Sequence, residues 1–131
     1  MPAGDAFTAQ ERYDIDKAIR DAETVSRFEF SVFVGSAEEE TRPFAERLHA
    51  TLAAPERSIL VMVDPSARIL EIVTGSEVRR YLGDGEVHLA AVTMQSAFAN
   101  GDLVGGITGG VMMLAEHAQR PRTLHAERGL Y

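Results

Sequence analysis

The sequence predicts an α/β fold: a three-layer α/β/α sandwich around a small mixed sheet, with a helical C-terminal half. Three observations carry this. Residues 59–63 form an unbroken apolar run containing β-branched residues, as expected of a central strand covered on both faces. A helical pattern separates that run from an earlier alternating strand, and such a strand-helix-strand unit makes a right-handed parallel crossover. Asp64-Pro65-Ser66-Ala67 follows immediately, with Asp first and Pro second as a type I turn prefers, so the chain returns as a β-hairpin and one strand is antiparallel.

Each element has its own local signal. Thr8 and Glu11 have capping-box spacing, and Ile15, Ala18, Ile19 and Ala22 recur at helical intervals, giving a first helix over 9–25. Phe28, Phe30, Val32 and Val34 alternate with Glu29, Ser31 and Phe33 in a strand ended by Gly35 and Ser36. Glu38, Glu39 and Glu40 mark the start of a second helix, with Pro43 in its first turn, Phe44, Ala45, Leu48 and Leu52 as its buried stripe, and Pro55 as its stop. Ile69, Leu70, Ile72 and Val73 form the hairpin's return strand. Beyond Gly75 the pattern is helical: a short segment with Val78, Tyr81 and Leu82, then helices over 86–100 and 103–118. The polar tail 121–131 lacks periodicity and is expected to be loose.

Composition bounds the function. The 131 residues suit a single domain with an ordered core over about 8–118. With no cysteine, disulfides, thiolate metal sites and cysteine nucleophiles are excluded. A formal charge of −7 disfavours general attraction to nucleic acid or acidic lipid. The first residues show no signal-peptide run and no apolar stretch is long enough for an integral membrane segment, so a cytoplasmic location is expected.

The motifs that suggest chemistry have simpler readings. Asp14-Ile15-Asp16 is similar to the aspartate pair of haloacid-dehalogenase-type phosphatases, but a nucleophilic carboxylate must project from a strand end, and this pair lies within a helix. Five glycines between 101 and 110 follow no strand and lack the Gly-Lys-Ser/Thr ending of a phosphate loop, so Gly106 and Gly110 are expected to serve close helix packing. His49, His88, His117 and His125 have no zinc or triad spacing and are expected mostly at the surface. Asp64, Asp84 and Asp102 remain. Asp64 suits a turn, and Asp84 and Asp102 suit helix N-caps. Carboxylates on glycine-bearing loops are also the hard ligands that Ca²⁺ or Mg²⁺ prefers, although no EF-hand spacing is present.

Ala22-Glu23-Thr24, Phe44-Ala45-Glu46-Arg47-Leu48, the strand-turn-strand from 59 to Gly75, Leu82-Gly83-Asp84 and Phe98-Ala99-Asn100-Gly101-Asp102 occur in an order that resembles the TPM domain, especially its uncharacterised actinobacterial branch. The resemblance implies an α/β/α sandwich and a divalent cation, Ca²⁺ or Mg²⁺, at the loop edge. By position Asp84 and Asp102 carry that role over, with Asp64 third, and no organic cofactor is implied. It also implies an accessory domain that binds a cation or a protein partner, with a metal-dependent phosphatase (phosphomonoesterase) as the alternative. Two departures stand out: relatives commonly carry an export signal or anchor, and Val25 occupies a position where they often have glycine.

Overall fold

The computed structural model describes residues 7–119. Its order is α1 (Ala9–Ser26), β1 (Glu29–Val34), α2 (Thr41–Ala50), a 3₁₀ turn (Pro55–Arg57), β2 (Ser58–Asp64), β3 (Ile69–Thr74), a second 3₁₀ turn (Val78–Arg80), α3 (Asp84–Ala99) and α4 (Leu103–Ala118). The sheet order is β1-β2-β3, with β1 parallel to β2 and β3 antiparallel to it. The expected α/β architecture, with its small mixed sheet and helical C-terminal half, is the one observed.

The central strand explains the layering. Every residue of β2 is buried, and its side chains alternate between two apolar clusters. Ile59, Val61 and Val63 join Phe30 and Val34 beneath α1, α3 and α4, while Leu60 and Met62 join Val73 and Ala45 beneath α2. On the α2 side Phe33 and Phe44 meet edge to face, with ring centroids 5.7 Å apart. Among the described residues, no helix is long and apolar enough to cross a membrane.

α1 starts at the predicted capping box: Thr8 Oγ1 accepts the Glu11 N–H at 3.0 Å, and Glu11 Oε1 accepts the Thr8 N–H at 2.9 Å. It ends at Arg27, whose φ of 68° is left-handed. α4 packs against both α1 and α3. The expectation for Gly106 and Gly110 holds, because the space a Cβ would fill is taken at Gly106 by the Phe98 ring and at Gly110 by Met94.

Several local expectations are corrected. α2 begins at Thr41 and ends at Ala50, so Pro55 does not stop it but opens the following 3₁₀ turn. His49 is 8% exposed, with Nε2 3.0 Å from the Ser58 carbonyl, which binds α2 to the start of β2; His88 is exposed and His117 half-buried. His125 and the tail 121–131 lie outside the described residues.

Candidate functional site

Open α/β sheets bind ligands where parallel strands end, and here β1 and β2 deliver their carboxyl ends to one edge of the molecule. The hairpin turn and the α3–α4 junction flank that edge. A cleft of about 350 Å³ lies between them, lined by Asp64, Arg68, Leu70, Gln95, Phe98 and Leu103 among others. Its apolar wall is provided by β3 and α3, and its polar mouth by the turn.

Asp64 is the last residue of β2 and only 5% exposed. Oδ1 accepts the Ser66 hydroxyl at 2.9 Å and the Ala67 N–H at 3.1 Å, and Oδ2 accepts the Ala37 N–H at 3.3 Å. Burial pushes its carboxyl up, but the hydrogen bonds from Ala67, Ser66 and Ala37 outweigh it and hold the group below the usual carboxylate range. Asp64 is therefore an ionised carboxylate whose oxygens are already engaged in shaping two loops.

The structure does not bring the three aspartates together. Asp102 lies between Gly101 and Leu103, both on the cleft wall, and acts as the predicted N-cap of α4, with Oδ1 accepting the Gly105 N–H at 2.9 Å. Asp84 is not the N-cap of α3. Gly83 has the extended cap conformation, its N–H donates to Glu86 Oε1 at 2.9 Å, and Asp84 is the first helical residue beyond it. The 16 residues of α3 then separate Asp84 from the α4 cap by about 24 Å, too far to share an ion. Among the described residues, no three His, Asp or Glu side chains gather where they could hold a metal. Asp14 and Asp16 are exposed on α1.

A second feature escaped the residue-by-residue reading of motifs. Residues 87–100, nearly all of α3, contain no Asp, Glu, Lys or Arg, in a chain that is 25% charged. Only Ala90 and Met94 of α3 are buried. The outward face presents His88, Leu89, Val92, Thr93, Gln95 and Ser96, with Leu89 50% and Val92 47% exposed. Helical periodicity does not flag such a face, because apolar residues surround the helix; the gap in charge does.

Two uncharacterized proteins of Mycobacterium tuberculosis, from strains CDC 1551 and H37Rv, are each 25% identical over 101 residues, 77% of this chain. The matched region spans 60% of the length of those relatives. In fold the chain is similar to the BA42 protein of Bizionia argentinensis, with a TM-score of 0.77 at 20% identity over 86% of this chain and 81% of that one. It is similar also to the N-terminal domain of the cg2496 protein from Corynebacterium glutamicum, with a TM-score of 0.71 at 14% identity over 89% and 78% of the two chains. At these identities the likeness is one of fold. The family described as domain of unknown function DUF5130 matches residues 2–115, and this chain belongs to that family.

Proposed function

We propose that the domain is a non-catalytic protein-interaction module that docks a partner's apolar surface on the outward face of α3. The observation that carries this is the charge-free stretch 87–100 with Leu89 and Val92 half-exposed. Cores of protein interfaces are depleted of charge because desolvating an ion costs more than an uncharged contact returns. Covering the remaining surface of Leu89 and Val92 contributes roughly 2–3 kcal/mol. The Thr93, Gln95 and Ser96 side chains on the same face can hydrogen-bond at the rim without that penalty. A photo-crosslinking residue in place of Leu89 should give one discrete adduct in the native cell, and Val92→Glu should abolish it. An adduct unchanged by Val92→Glu would refute docking on this face.

A second reading rests on Asp64. A carboxylate held ionised at the carboxyl end of a parallel strand pair, with Asp102 on the neighbouring loop, supports weak binding of Ca²⁺ or Mg²⁺ at the cleft, as resemblance to the TPM domain implies. Water would supply most of the ligands, since Asp64 already accepts three hydrogen bonds and Asp84 is remote. The phosphomonoesterase alternative has no comparable observation in its favour.

A further inference from the structure

Both edges of the sheet are marked by charged side chains, but unequally. The Gly35 N–H donates to the Val63 carbonyl at 2.9 Å, which fixes the phase of β1: residues 31 and 33 direct their backbone groups to β2, and Phe30, Val32 and Val34 direct theirs outward. On the opposite edge, Arg42 Nη1 donates to the Ile72 carbonyl at 2.8 Å and Arg79 donates to the Thr74 carbonyl. Those guanidinium groups occupy acceptors that an added strand would need. On β1, Glu23 Oε2 accepts the Phe30 N–H at 3.1 Å. No described residue pairs with the N–H and carbonyl of Val32 or the N–H of Val34.

We propose that this open edge is a strand-docking site and that its occupant is β1 of a second copy of the chain, running antiparallel about a two-fold axis at Val32. The sequence is self-complementary in that register. Val32 faces its own counterpart, Phe30 faces Val34 and Ser31 faces Phe33, which gives aromatic and β-branched cross-strand partners. Glu29 falls opposite Gly35, so no like charges oppose one another. Glu23 yields the Phe30 N–H to the Val34 carbonyl of the other copy, and six backbone hydrogen bonds form: two between the Val32 residues and two in each of the two Phe30–Val34 pairs. The result is a six-stranded sheet with helices on both faces.

The absence of cysteine makes a clean test possible in the full chain. In this register the paired Val32 Cα atoms lie about 5.5 Å apart, within disulfide reach. Sedimentation equilibrium should show a concentration-dependent dimer, and mild oxidation should link Val32→Cys into a covalent dimer at least about tenfold faster than Ser96→Cys on α3. Val32→Pro, which removes the outward N–H at the two-fold axis while leaving the bonds to β2 in place, should weaken self-association by at least about tenfold. Circular dichroism checks that each variant is folded. A monomer at every concentration, equal linking rates for the two cysteine variants, or an unchanged dimer constant in Val32→Pro would each overturn the proposal. Faster linking through Ser96→Cys would do the same, placing the contact on α3.

Discussion

The carboxylate of Asp64 reaches across the top of the sheet to accept the N–H of Ala37 at 3.3 Å, joining the loop after β1 to the hairpin after β2. Its other oxygen closes the hairpin turn through Ser66 and Ala67. Removing the side chain leaves these donors without their acceptor, so Asp64→Ala should cost about 2 kcal/mol in urea unfolding at neutral pH. The pH dependence has a definite sign. Because the folded-state pKa lies below the ordinary carboxylate value, the contribution is fully present above the unfolded pKa, about 3.9, and is lost as pH falls through the lower folded value. Asp64→Ala should flatten the native protein's loss of stability in that acid range. An equal acid slope in both proteins would disprove this role.

Two glycines should respond oppositely to alanine. A Cβ at Gly75 would run into the backbone of Pro55 and Glu56, where the Gly75 N–H also donates to the Ser58 carbonyl at 3.0 Å. Backbone cannot rotate aside as a side chain can, so Gly75→Ala should destabilise by about 3 kcal/mol. Gly109 is in α4 with open space where its Cβ would be, and Gly109→Ala should stabilise by up to about 1 kcal/mol through helix propensity alone. Thermal melts of the two variants check both signs.

Asp102 allows capping and cation binding to be separated. Asp102→Ala removes the acceptor for the Gly105 N–H and should cost about 1 kcal/mol, whereas Asp102→Ser keeps an N-cap oxygen and most of that stability. Serine brings no carboxylate, so any Ca²⁺ or Mg²⁺ affinity that depends on Asp102 should fall in both variants. Calorimetric titration of chelator-stripped protein decides this. Cation binding that survives Asp102→Ser removes the residue from the site, and no binding in the native protein removes the cation reading altogether.

Legibility followed how locally each feature is determined. The Thr8–Glu11 capping box, the buried run of β2 and the Asp64-Pro65 turn are set by neighbours in the chain, and all three stand where the sequence puts them. The burial of His49 is not legible in the sequence because it depends on the Ser58 carbonyl, which becomes its neighbour only after α2 folds onto the sheet. Asp84 lost the cap to Gly83 by one residue, a choice settled by Glu86 reaching back to the Gly83 N–H. Asp64 suited a turn from sequence, but its bond to Ala37 depends on the parallel crossover bringing two strand ends together. Spacing alone cannot show convergence of that kind, nor could it show that α3 holds Asp84 and Asp102 apart.

Substitutions on α3 should separate stability from docking. Leu89 and Val92 are about half-exposed, so Leu89→Glu and Val92→Glu remove little buried area and should change unfolding free energy by no more than about 0.5 kcal/mol. Their effect on partner binding should be much larger, because each places an ion at the centre of a charge-free face, where desolvation opposes contact. Against a partner identified through the Leu89 crosslink, affinity should fall by about tenfold or more for Val92→Glu, while Glu11→Gln on α1 should leave it unchanged. Equal losses in both variants would show that the loss is not specific to the α3 face. Unaltered affinity in Val92→Glu would mean that the exposed apolar residues of α3 are ordinary surface.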